Sequence, residues 1–199
     1  MLPRLFKSRD FTVGFGIFSR RMSSSNSQNA PPAPPPPPPP GSVKAKKVEE
    51  EIPEEKPAIT KLNHHDDPKR IPEEEWQKVL PSEVYHVTRE AGTERPFTGK
   101  YDKFFKPGKY NCICCGADLF VSDAKYNSGC GWPAFSKSID EDKNIVRIPD
   151  YSCGIERVEV RCKQCNAHLG HVFDDGPKDT GERYCINSCS IAFEPKKSE

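Results

Sequence analysis

Two short cysteine pairs constrain this chain more than any other feature. Cys112-Ile-Cys-Cys115 is followed 47 positions later by Cys162-Lys-Gln-Cys165. Two residues between cysteines let a tight turn aim two thiolates at one point. Two such turns supply the four soft ligands of a closed tetrahedral zinc site. Gly116 behind the first pair, and Asn166-Ala167 behind the second, suit turns of this kind. The separation exceeds the roughly 15–20 residues of a simple zinc ribbon. A zinc ion here would therefore clip two distant parts of one domain. The competing reading, a thioredoxin-like redox motif, belongs in a βαβ pattern that this sequence does not offer. One structural Zn2+ on Cys112, Cys115, Cys162 and Cys165 is the expectation, and Cys114 is spare.

The rest of the composition divides the chain. All nine cysteines lie between Cys112 and Cys189, whereas nine prolines crowd into Pro31–Pro40. A length of 199 residues suits one domain with appendages. Mean hydropathy is −0.76 with 34% hydrophobic residues, too low for a chain packed from end to end. No apolar run approaches the roughly 18–20 residues that span a bilayer, so no membrane partner is expected. The 30 basic and 29 acidic groups nearly cancel overall. The basic surplus lies in residues 1–70, and the cysteine-rich part is mildly acidic. That argues against a nucleic-acid-binding zinc ribbon.

Residues 1–22 hold Arg4, Lys7, Arg9, Arg20 and Arg21 against one acid, Asp10, with Phe6, Phe11, Phe15 and Phe18 between them. Ser23–Ser25 follow. This is transit-peptide composition and predicts a mitochondrial address. A start at Met22 would leave a cytosolic form. Pro31–Pro40 should be polyproline II, read as a stiff spacer in preference to a groove ligand. Residues 23–70 as a whole read as a disordered, Pro-rich and charged linker. His64 and His65, being adjacent, are taken as solvated. The folded domain is expected over residues 71–196.

Within it, Pro72 and the acids Glu73, Glu74 and Glu75 open a helix carrying Trp76, Val79 and Leu80 on one face. A second helix spans Ser82 to Gly92, with Gly92 as its stop. Beyond Gly92, short aromatic and β-branched runs alternate with turn residues. The expected strands are Lys109–Ile113, Asp118–Val121, Asn144–Ile148, Glu156–Arg161, His171–Phe173 and Arg183–Phe193.

Three segments concentrate unusual chemistry: Ser128-Gly-Cys-Gly-Trp-Pro-Ala-Phe135, His168-Leu-Gly-His-Val-Phe-Asp-Asp-Gly-Pro177 and Gly181-Glu-Arg-Tyr-Cys-Ile-Asn-Ser188. In one strand from Arg183 to Phe193, Arg183, Cys185, Asn187 and Cys189 share a face. A thiol beside Arg183 should have a lowered pKa, which makes Cys185 a candidate nucleophile. A buried inert cysteine is the alternative, but a core-facing stripe should not also hold Arg and Asn. His168 and His171, three apart around Gly170, can deliver a proton near pH 7. Trp132, between Gly131 and Pro133, presents an indole to a cavity or packs in the core; alone it does not decide.

Taken together, these motifs and the two Cys-x-x-Cys pairs resemble the type B methionine sulfoxide reductases over about Pro72 to Pro195. The resemblance implies a mainly β domain: two antiparallel sheets, short N-terminal helices and a four-cysteine zinc site. It implies reduction of the R epimer of methionine sulfoxide, mainly peptide- or protein-bound. Carried onto this chain, Cys185 is the nucleophile and Cys130 the resolving cysteine. His168, His171 and Asn187 surround the sulfoxide oxygen. Trp132 packs on the substrate methyl with Phe135 beside it, and Arg183 and Asp175 tune the site. The implied reductant is thioredoxin, and the implied state is a monomer engaged in protein repair. Cys189 is set aside as a resolver, because four residues along one strand place it roughly 13 Å from Cys185. Cys114, Cys153 and Cys189 are expected to be spectators. The competing reading is a zinc-stabilised binding module in which Cys185 is inert.

Overall fold

The computed structural model describes residues 55–62, 67–152 and 154–196. Expectations for the basic N-terminal segment, the proline run, His64, His65 and Cys153 lie outside these residues. Two helices precede the strands, α1 (Glu73–Val79) and α2 (Ser82–Arg89). Nine strands follow: β1 (Gly108–Cys112), β2 (Asp118–Val121), β3 (Lys125–Tyr126), β4 (Ala134–Phe135), β5 (Ile145–Asp150), β6 (Arg157–Cys162), β7 (His168–Phe173), β8 (Arg183–Ile186) and β9 (Ile191–Pro195). They form a three-stranded sheet, β2-β1-β9, and a six-stranded sheet, β3-β4-β8-β7-β6-β5. Every pairing is antiparallel, as expected of a mainly β domain with two sheets.

Alternation explains the packing. In β8, Tyr184 and Ile186 are buried while Arg183 and Cys185 face outward. In β1, Tyr110 and Cys112 point inward. The inward side chains build an aromatic core in which Phe120 stacks on Phe135 at 4.4 Å and Tyr110 meets Phe135 edge-on at 5.1 Å. Tyr184 and Phe193 close it on either side.

Several boundaries differ from expectation, among them the start of β7, which is His168 in place of His171, and the end of β5, which is Asp150 in place of Ile148. Packing begins before Ile71. Ala58 and Leu62 are buried, and the Ala58 and Ile59 N–H groups donate to the Ile113 and Cys114 carbonyls. Pro57–Leu62, assigned to the linker, thus lies against the first cysteine turn. α2 ends at Arg89, and the left-handed residue is Ala91 (φ 56) in place of Gly92. Strands β3 and β4 were not anticipated, being only two residues each. The expected long strand Arg183–Phe193 is broken at Ser188–Ser190 into β8 and β9, which join different sheets. Local side chains break it, because serine hydroxyls and carboxylates offer the backbone partners other than a ladder. Ser190 Oγ donates to the Asn187 carbonyl at 2.7 Å, and the Glu94 carboxylate accepts the Ser188 and Cys189 N–H groups. Among the described residues no helix is long and apolar enough to cross a membrane.

Candidate active site and metal centre

The two cysteine turns are near copies. In the first, the Cys112 N–H donates to the Ala117 carbonyl and the Gly116 N–H to the Cys112 carbonyl. In the second, Cys162 donates to Ala167 and Asn166 to Cys162. Gly116 (φ 80) and Asn166 (φ 62) supply the left-handed residue each turn needs. One turn joins β1 to β2 and the other joins β6 to β7, so the pairs belong to different sheets. Their sulfurs meet: Cys112 lies 3.7 Å from Cys165, and Cys115 lies 3.6 Å from Cys162. All four fall within 4.8 Å of one another. Tetrahedral zinc with Zn–S near 2.3 Å requires an S–S edge of about 3.8 Å, so the donor set fits that ion. Cys114 is buried beside this group and outside it, as its register implied. Arg89 braces the second turn from α2. Its guanidinium donates to the Cys165 carbonyl at 2.8 Å and grips Glu73 through two bonds.

The reactive face lies on the outward side of the six-stranded sheet. Register places Ala134, Cys185, His171 and Glu159 in one row across β4, β8, β7 and β6. His168 and His171 are three apart, so a regular strand would send them to opposite faces. An irregularity opposite Val160 and Arg161 adds a residue to β7 and returns both rings to the outward side. Their centroids are 5.5 Å apart. Gly170 is required at this bulge, because a Cβ there would lie 2.0 Å from the Cys185 carbonyl oxygen.

Each histidine rests on a carboxylate already held by an arginine. His168 Nδ1 lies 2.6 Å from Glu159 Oε1, which also accepts from Arg161 Nε at 2.7 Å. His171 Nε2 lies 2.9 Å from Asp150 Oδ2, which also accepts from Arg157 at 2.6 Å. A carboxylate accepts only, so each bonded ring nitrogen carries the proton. That leaves His168 Nε2 buried and without a partner. Burial pushes the His168 imidazole below its ordinary pKa, against the pull of Glu159. Asp150 is held well below the usual carboxylate range, first by the Ser152 N–H and then by His171 and Arg157. Glu159 and Asp150 were not singled out in the sequence. The alternation Arg157-Val-Glu-Val-Arg161 marked an outward charged stripe, but its pairing with histidines depends on register.

Cys130 and Cys185 are 55 residues apart in sequence, yet their sulfurs are 3.6 Å apart. The thiol expected to be lowered was Cys185, on the strength of Arg183 alone. The structure corrects this. Cys130 is lowered to about 5, mainly by the Cys185 S–H facing it, aided by Ser128 Oγ donating at 3.0 Å and by Arg183. Cys185 is raised, because the Cys130 charge and burial outweigh Arg183. The two thiols share one proton and titrate as a unit. Arg183 is itself fixed by two hydrogen bonds to Asp175, at 2.7 and 2.9 Å, and lies over the Phe173 ring.

Three further expectations change. Phe135, expected at the substrate, has 0% exposure and is spent on the aromatic core, because its register partner Tyr184 points inward. Asn187 is buried with its amide committed: Oδ1 accepts the Glu94 N–H and Nδ2 donates to the Leu169 carbonyl, both at 3.0 Å. It braces the end of β8 by bonds to backbone. Cys189 does not share the Cys185 face. It sits in the Ser188–Ser190 turn and lines a 560 Å3 cavity with Glu94, Val84 and Ile113. The 13 Å strand separation thus has no strand to stand on, although Cys185 is still partnered by Cys130. Trp132 is half-buried, its Nε1–H donating to the Glu94 carbonyl at 3.1 Å.

Comparison with known proteins agrees with this geometry. The SelR domain matches residues 80–195. A probable methionine-R-sulfoxide reductase B of Caenorhabditis elegans is 60% identical over 139 residues, covering 69% of this chain and 91% of that protein. The peptide methionine sulfoxide reductase MsrB of Chromohalobacter salexigens is 54% identical over 124 residues, covering 62% and 92%. The MsrB of Pseudomonas aeruginosa is 50% identical over 127 residues, covering 64% and 96%. The chain belongs to the SelR-domain family, that of the type B methionine sulfoxide reductases its motifs resemble.

Proposed function

We propose that the protein is an oxidoreductase that reduces methionine-R-sulfoxide, mainly in peptides and proteins, to methionine at the Cys185–Cys130 pair. One observation carries this reading: two thiols 3.6 Å apart beside two carboxylate-bound imidazoles. As substrate enters, the shared proton passes to Cys130 and leaves Cys185 as thiolate. Cys185 attacks the sulfoxide sulfur. A proton taken up at His168 Nε2 goes to the sulfoxide oxygen. The hydroxyl then passes from the methionine sulfur to the Cys185 sulfur as the bond between the two sulfurs breaks, so methionine leaves, reduced by two electrons, and Cys185 is left as sulfenic acid. Cys130 then attacks Cys185; the S–O bond breaks, water departs with the Cys130 proton, and a disulfide forms. Thioredoxin returns the disulfide to two thiols by exchange. Trp132 walls the substrate methyl, and Arg183, fixed by Asp175, steadies the sulfur charge.

Zinc on Cys112, Cys115, Cys162 and Cys165 would be structural, since four thiolates leave no open coordination position. The protein works as a monomer in repair after oxidative stress. The basic residues 1–22 support a mitochondrial location, and a start at Met22 a cytosolic one. The test uses resolved R and S epimers of a methionine sulfoxide peptide. Wild type should turn over the R epimer alone, Cys185→Ser should turn over neither, and one turnover without reductant should leave a Cys130–Cys185 disulfide in the mass spectrum. Normal cycling of Cys130→Ser with thioredoxin would refute the assigned resolver.

A further inference from the structure

We infer that Glu94, outside the thiol and histidine set, is the positioning residue that fixes the Trp132 indole on the reactive face. Its side chain is nearly buried, in a residue with 7% exposure. Oε1 accepts the Ser188 N–H at 2.6 Å, and Oε2 accepts the Cys189 N–H at 3.1 Å. These backbone donors belong to the turn that closes β8, three and four residues beyond Cys185. Hydrogen bonds from backbone N–H to a carboxylate are charge-assisted and stronger than neutral ones.

The backbone of the same residue carries the consequence. The Glu94 N–H donates to Asn187 Oδ1, and the Glu94 carbonyl accepts the indole N–H of Trp132. Residue 94 lies in a loop outside every strand and helix, so no ladder holds it. Its carbonyl is placed by the carboxylate anchor and by Asn187. An indole has one donor, and here that donor is spent on this carbonyl. A chain of contacts therefore runs from the end of β8 through Glu94 to Trp132. It ties the indole to the strand that bears Cys185, so the wall and the nucleophile keep their separation. The Trp132 backbone is already tied to β8, since the Pro133 carbonyl accepts the Ile186 N–H at 3.0 Å and Ala134 pairs with Cys185; the Glu94 carbonyl adds the bond that orients the indole ring itself.

The kinetic part of the inference rests on the reading above, in which the indole walls the methionine pocket. The test is Glu94→Gln, with Glu94→Ala beside it, in a Trp76→Phe background that leaves Trp132 as the sole indole. Thermal unfolding confirms that each variant is folded. In Glu94→Gln an amide N–H2 faces a backbone N–H, so one charge-assisted bond is lost. We expect a KM for a methionine-R-sulfoxide peptide raised about tenfold, which is what one such bond supports. The first-turnover rate at saturation should stay at the wild-type value, and Trp132 emission should shift to the red with easier quenching by acrylamide. A role confined to stability would lower the active fraction and leave KM unmoved. Emission and quenching unchanged in both Glu94 variants would overturn the inference. A wild-type KM in Trp132→Phe would instead fell the substrate-wall reading and leave the emission result to decide on Glu94.

Discussion

Removing the metal clip should cost this domain a large part of its stability, and the size of the loss follows from the fold. Cys112 and Cys165 are 53 residues apart in sequence and join hairpins of different sheets. Cross-linking a loop of that length removes denatured-state entropy equivalent to roughly 4 kcal/mol at 25 °C. Domains are stable by only about 5–15 kcal/mol. For a domain of this size each kcal/mol shifts Tm by about 3–4 °C, so the clip corresponds to roughly 12–16 °C. The perturbation is Cys162→Ser, which leaves three thiolates, compared with wild type loaded with zinc and with wild type stripped by a chelator. Metal content measured by atomic emission should be one zinc per chain in wild type and a small fraction of that in the variant. Calorimetry should show the stripped protein and Cys162→Ser melting together, well below the loaded protein. If stripping moved Tm by less than about 3 °C, the two sheets would be held without the clip, and the entropy argument would fail for this fold.

Two further outcomes follow. The thiol pair bears a lowered Cys130, at about 5, so its thiolate persists as pH falls and is lost only near that value. Iodoacetamide labelling should go first to Cys130 and stay level from about pH 6 to 8, whereas an ordinary thiol near 8.5 would climb roughly tenfold per unit; such a climb would refute the shared-proton reading. Phe135→Ala should cost about 3–5 kcal/mol in chemical denaturation, as expected for emptying a buried aromatic site. Its KM should be unchanged, and a raised KM without lost stability would return Phe135 to the substrate pocket.

Much of the site was legible because its chemistry is written in contiguous motifs. The Cys-x-x-Cys turns, with Gly116 and Asn166 behind them, give their own local geometry. Cys185 beside Arg183 alternates outward from Tyr184 and Ile186 in a period-2 pattern. What sequence could not supply was register. The bulge that turns His168 to the side of His171 arises where β7 meets β6. The Asp150 and Glu159 partners come from neighbouring strands. Phe135 read as a pocket residue because its motif neighbours Cys130 and Trp132 were assigned to the site, yet alternation turns it into the core.

Residue type and short spacing were enough to pick out the four cysteines that come together and the mainly β character, and to name Cys185 as a candidate. How charge is shared between the two thiols depends on the folded arrangement. Arg183 two residues away argued for Cys185, but the sulfur 3.6 Å off, contributed from 55 residues away, makes the charge a property of the pair, with Cys130 lowered and Cys185 raised. Coulomb interaction depends on distance through space, and folding, by pairing β4 with β8, sets that distance.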